Sequence, residues 1–196
     1  NSPTYYGVNF YALAFWRLYS HSELLVKYGA EIEAEVWRDV AQYYHAGLKN
    51  VCGPFTRSYG MDMPEYGALL GMSIWLGVGR DVAPFPKSES YFDHGSDFCY
   101  GPCFGMEDTI IPEGVLPHFK IFSGERVIEK RISTTPDRIA TSWLGEKIMI
   151  GAEATPLDGS AEKTYYKMSS QFHPATIHWE MPDGNVAWLR LRHLGV

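Results

Sequence analysis

The chain of 196 residues is 45% hydrophobic and 15% aromatic, which supplies enough apolar surface for a packed core and excludes a disordered segment. Its formal charge of −6 comes without a basic stripe, so no nucleic-acid partner is expected. No apolar run approaches the roughly 18 residues of a membrane span, and no membrane partner is expected either.

The opening Asn1-Ser2-Pro3-Thr4 is not a signal peptide, and His193–Val196 follows directly on a strand-like run, so the chain is expected to be cut from something longer. Three cysteines are too few for a disulfide scaffold. Cys99 and Cys103 are close enough in sequence to pair locally, which would leave Cys52 alone. With no Asn-x-Ser/Thr acceptor present, these points lean towards a reducing compartment.

Apolar residues recur at helical spacing in the first part of the chain. From Tyr5 to Tyr19 the helix is apolar almost all round, with Pro3-Thr4 as its start signal, and should be buried on most of its surface. From Ser22 to His45 an amphipathic helix follows. Its stripe is Leu25, Tyr28, Ile32, Val36, Val40 and Tyr43, with Glu31, Glu33, Glu35 and Arg38 outside it. A third helix is predicted from Pro64 to Val78, where Gly67, Gly71 and Gly77 would permit close contacts.

The character changes near Pro84-Phe85-Pro86. After Pro117 the runs become short and β-rich: Phe119–Phe122, Arg126–Ser133, Arg138–Leu144, Lys147–Ala152, Met168–Phe172, Thr176–Glu180 and Val186–Arg192. Turn signals separate them, among them Ser123-Gly124 and Pro182-Asp183-Gly184. The fold class expected is α+β: antiparallel helical hairpins over 1–83, a Gly/Pro/aromatic linker over 84–117 and an antiparallel β-sandwich-like region, incomplete, over 118–196.

An alternating down-up-down course of the three helices brings the opening segment 1–7 and the loop 46–63 to one end. This rim carries Arg57, Tyr59 and Asp62, with His45 and Asn50 just upstream and Asn1 and Tyr6 in the opening segment. Loops carry function more often than the helices that support them. Arg57 can hold a carboxylate through paired hydrogen bonds, and a Tyr beside a cation can exchange a proton. Equally, Tyr59 can fill the core, Arg57 can pair with Asp62, and Asp62 can cap the third helix ahead of Pro64.

Two segments, Asn1–Tyr19 (NSPTYYGVNFYALAFWRLY) and His45–Met63 (HAGLKNVCGPFTRSYGMDM), resemble proteins of (α/α) toroid architecture. That group is similar to the heparinase II/III-like and six-hairpin carbohydrate-active superfamily, whose members place an antiparallel sandwich after the toroid. The resemblance implies the C-terminal part of such a protein, with a preceding segment or a second chain completing the ring. It implies a carbohydrate substrate, no cofactor, and β-elimination at a uronate slightly ahead of hydrolysis. Arg57 and Asn50 would neutralise charge, Tyr59 or Tyr6 would move protons and His45 would be the alternative base. Asn1 and Asp62 would contact substrate. The alternative implied is a non-catalytic carbohydrate-binding or assembly protein of the same architecture.

Hydrolysis needs two carboxylates about 5–5.5 or 6.5–9.5 Å apart. Asp62 and Glu65 are at the rim, and Asp93 or Asp97 could reach it from the linker. Asp93, His94, Cys99 and Cys103 hold no standard zinc spacing, and no metal is expected. His173 and His178 should fall on opposite strand faces, one partly buried and one exposed. Of Trp143, Trp179 and Trp188, most should face the sandwich core.

Overall fold

A computed structural model describes residues 2–84, 95–135, 137–154 and 172–191. The architecture is α+β, with N-terminal helices followed by a five-stranded antiparallel sheet. Two compact units divide it. One is helical and spans Pro3–Val51 and Tyr59–Ser123; the other joins Ser2 and Cys52–Ser58 to the sheet that begins after Gly124.

In the helical unit, α1 (Pro3–Tyr19) and α2 (Glu23–Tyr43) form an antiparallel hairpin. Pro3 suits the first turn of α1, where its missing N–H has no helical partner to lose. Gly7, Phe10, Leu13 and Ala14 make the buried stripe of α1, and Phe10 stacks on Trp37 of α2 with ring centroids 3.9 Å apart.

The buried stripe of α2 keeps only the end of the one its apolar pattern predicts. Gly29, Glu33, Trp37, Val40, Ala41 and Tyr43 are buried, whereas Leu25, Tyr28 and Ile32 are 38–46% exposed. Two features turn the helix. A Cβ on Gly29 would lie 3.1 Å from the backbone of Leu13 and Arg17, so glycine admits α1 closely here. Glu33 then meets Arg17 in a buried ion pair, Nε to Oε2 at 2.8 Å. A charge pair with good geometry fixes which face points inward; hydrophobicity alone does not.

After α2 the chain forms a small ribbon, β1 (Tyr44–His45) against β2 (Asn50–Val51), with Lys49 at φ 49° closing the turn. The expected third helix is two helices, α3 (Met63–Tyr66) and α4 (Leu69–Val78). Gly67 adopts φ 68°, a left-handed cap that ends α3. At the crossing of α1 and α4, a Cβ on Gly7 would fall 2.4 Å from the Leu69 carbonyl carbon. A short 3-10 helix, Gly95–Tyr100, leads into α5 (Gly101–Phe104). The predicted strand at 119–122 does not form: Phe119 and Lys120 end helix α6 (Leu116–Lys120), which has Pro117 in its first turn and buries Phe119 against Trp37 and Tyr44.

In the other unit β3 (Arg126–Thr134), β4 (Asp137–Leu144), β5 (Ile148–Ala154), β6 (Ala175–Glu180) and β7 (Val186–Leu191) pair in sequence order. Among the described residues this is one sheet. The predicted strand Met168–Phe172 lies almost wholly outside them. The inner face carries Arg138, Ala140, Ser142, Leu144, Met149, Thr176 and His178, all buried. Segment Cys52–Ser58 covers that face. Ser142 Oγ donates to the Gly53 carbonyl at 2.5 Å, and Phe55 exchanges backbone bonds with His173 at 2.9 and 3.0 Å.

Gly151 makes the close approach possible, because a Cβ there would sit 1.9 Å from the Gly53 oxygen. On the other face, Val127, Trp143, Ile150, Ile177 and Leu189 form a cross-strand apolar row. His173 and His178 are both fully buried, against the expected split, because both neighbour the covering segment. The three tryptophans are likewise not core residues: Trp143 and Trp179 are half-buried and Trp188 is 40% exposed.

Candidate functional site

A cavity of about 330 Å³ lies in the helical unit, within the range of small-ligand pockets. Helix α1 supplies Thr4, Val8 and Tyr11, residues four and three apart that share one helix face, with Tyr5 beside them. The 3-10 helix supplies Asp97 and Tyr100; three residues per turn put i and i+3 in line. Leu69 at the start of α4 and Phe104 of α5 contribute apolar lining and belong to one buried cluster with Met72. Tyr59 enters from the loop after β2.

The walls are therefore aromatic, and Tyr11 packs at 6.0 Å from Phe104 and 6.4 Å from Tyr100. Tyr11 also shares a hydrogen bond with Cys103, which holds its phenol above the ordinary range. Asp97 is the charged side chain among the described lining residues. Thr4 is buried, and its Oγ1 finds no hydrogen-bond partner among the described residues.

Near Tyr11 lies a charged group of side chains. Glu107 is buried and its Oε1 is unpartnered among the described residues. Burial, and next the nearby Glu33 carboxylate, push Glu107 up to about 8, while Arg17 partly opposes them. Arg17 is itself engaged by Glu33 and by the Asp108 carbonyl.

The residues predicted for the rim separate into distinct roles. Tyr59 joins Thr4 and Tyr5 in the cavity, so the loop and the opening helix do converge there. Arg57 belongs to the sheet unit, exposed, with its carbonyl accepting from Ser2 Oγ at 2.6 Å, whereas Tyr59 belongs to the helical unit. Asn1 lies outside the described residues.

His45 is fully buried. Its Nδ1 accepts the Leu48 N–H at 3.1 Å and its ring stacks on Phe122 at 4.6 Å. Asn50 donates to the Leu48 carbonyl and to Asp62 Oδ1, and its Oδ1 accepts the Met63 N–H. These bonds fold the loop, and they occupy the groups through which Asn50 would contact a ligand.

Asp62 makes no side-chain cap on α3. Its carbonyl accepts from Glu65 and Tyr66, and burial pushes its carboxyl up to about 6 despite the Asn50 bond. The Tyr6 hydroxyl donates to Asp39 Oδ2 at 2.7 Å. Burial and then the Asp39 charge hold the phenol well above its usual range, which opposes proton abstraction by Tyr6.

None of Cys52, Cys99 and Cys103 is in a disulfide, and burial pushes the Cys52 thiol up to about 12. No cluster of three metal-ligating side chains occurs among the described residues. Asp93 and His94 lie outside them. No described helix is long and apolar enough to cross a membrane.

Thr4 and Tyr5 lie in the opening segment that connectivity brings to the rim, whereas Val8, Tyr11, Leu69, Tyr100 and Phe104 are not singled out by the sequence, and Asp97 stands out there only as a possible second carboxylate. The spacing of Thr4, Val8 and Tyr11 was available as a signal, but an almost all-apolar helix hides which of its faces lines a cavity.

A family model described as a domain of unknown function, DUF8769, matches residues 1–108, and the chain belongs to that family. A second model, also described as a domain of unknown function, DUF8770, matches residues 124–194, beginning where the sheet unit resumes. No curated protein and no solved structure matches the chain.

Proposed function

We propose that this member of the DUF8769 family is a carbohydrate-binding protein whose ligand enters the aromatic cavity of the helical unit. The observation that carries the reading is the convergence of Tyr5, Tyr11, Tyr59 and Tyr100 on a cavity of about 330 Å³ with one carboxylate among its described lining residues. Aromatic faces pack against the apolar faces of a pyranose, while phenol and carboxylate oxygens bond its hydroxyls; a Tyr combines both in one side chain.

Uronate elimination, which the resemblance to toroidal lyases favours, has less support. His45, Asn50 and Tyr6 are committed to internal hydrogen bonds, and Arg57 is not among the cavity residues. Hydrolysis would need a second carboxylate beside Asp97, and the described lining supplies none.

A partner reading goes with this proposal. Leu25, Tyr28 and Ile32 of α2 make an apolar stripe that faces outward, and Trp16 and Leu18 of α1 are also exposed. Further helices, from a preceding segment or a second chain, would bury such a stripe, as a toroid requires.

The test is calorimetric titration of the full chain with neutral, amino and uronate-containing oligosaccharides. Reducing ends and the absorbance of unsaturated uronates would be followed in parallel. Saturable binding without new ends or absorbance is expected. New reducing ends, or the unsaturated product, would replace binding by catalysis; no heat with any sugar would remove the carbohydrate reading.

A further inference from the structure

We infer that the cavity selects a cationic amino sugar over a neutral or uronate-bearing one, an inference that rests on the carbohydrate reading and specifies its ligand class. Asp97 comes from the same 3-10 helix as Tyr100 and is the charged side chain among the described lining residues. Tyr5, Tyr11 and Tyr59 line the same cavity, each with a π-face of negative potential. An ammonium on the sugar ring is attracted by the carboxylate and by those faces together. A uronate carboxylate is repelled by both.

The surroundings do not reverse that sign: Glu107 near Tyr11 is buried and, pushed up to about 8, is mostly uncharged near neutral pH. The cation of that neighbourhood, Arg17, is bound by Glu33 and the Asp108 carbonyl and does not offset the cavity's charge. Thr4 also lines the cavity, and its buried Oγ1 has no partner among the described residues. A neutral acetamido sugar keeps the ring stacking and loses the ionic attraction. The two sugars therefore separate stacking from charge.

The experiment titrates the full chain, at physiological salt and near neutral pH, with three disaccharides: the glucosamine dimer, its N-acetylated counterpart and digalacturonate. The wild type is expected to bind the amino disaccharide about tenfold or more tightly than the acetylated one, with digalacturonate weakest. In Asp97→Asn, whose fold would be checked by circular dichroism, the ratio of the first two affinities should fall to about one.

Equal or tighter binding of the acetylated or uronate dimer by the wild type overturns the charge selectivity and leaves sugar binding standing. So does an unchanged ratio in a folded Asp97→Asn variant. If the wild type binds none of the three, the carbohydrate reading falls and this inference falls with it.

Discussion

The Asn50 carboxamide donates to Asp62 Oδ1 across 2.6 Å, and the same side chain accepts the backbone N–H of Met63 through its own oxygen. One residue thus ties the β1–β2 ribbon to the first turn of α3. Asn50→Ala should cost about 1–3 kcal/mol of stability, because it leaves the Met63 N–H and the Leu48 carbonyl short of partners. Denaturant unfolding checks this. An Asn50→Ala protein of undiminished stability would return Asn50 to the list of candidate ligand groups.

The buried Glu107 carboxyl makes stability depend on pH. Burial and the Glu33 charge raise it to about 8 in the folded chain, against about 4.5 unfolded. Between those values the folded state holds the proton that the unfolded state has lost, so stability falls as pH rises and levels off above about 8. Asp62, pushed up to about 6, acts in the same direction at lower pH. Over pH 6–9, above most of the Asp62 titration, wild type should lose about 1–3 kcal/mol more than Glu107→Gln. Unfolding curves at pH 6, 7.5 and 9 decide it, and parallel slopes for the two proteins would remove Glu107 as the cause.

Gly151 and Gly53 meet backbone to backbone, with no flexible side chain between them to yield. A Cβ at position 151 would lie 1.9 Å from the Gly53 oxygen and 2.1 Å from its carbonyl carbon. Gly151→Ala should therefore lift Cys52–Ser58 from the sheet at a cost of at least about 1–3 kcal/mol. Gly114→Ala, where nothing lies within 4 Å of the added carbon, serves as the comparison. Similar melting temperatures for the two variants would mean the covering segment is not held this way.

The strand periods in the sequence found β3 to β7 nearly residue by residue, because alternation along each strand registers a sheet with two different faces. They did not reveal that Cys52–Ser58, an insertion from the helical half, covers the inner face. That placement depends on Gly53, Gly151 and the Ser142 hydroxyl meeting in space. The same limit applies to α2. Its apolar stripe was visible, yet Gly29 and the Arg17–Glu33 pair determine the buried side, and both are long-range facts.

In the candidate site, Tyr59 and the convergence with the opening helix were legible from connectivity. His45 and Asn50 were not distinguishable from ligand groups until their hydrogen-bond partners were known. Tyr100 lay hidden because a short 3-10 helix leaves almost no periodic signal.

The most direct measurement follows the tyrosine ring resonances of the full chain by NMR, with ring-labelled tyrosine, while a saccharide is added to saturation. Of the 13 tyrosines, Tyr5, Tyr11, Tyr59 and Tyr100 line the cavity, and single Tyr→Phe variants assign them. Saturable shifts concentrated on those four rings are expected, with Tyr28 and Tyr44 unmoved. Saturable binding that shifts other tyrosines and leaves these four in place would contradict it.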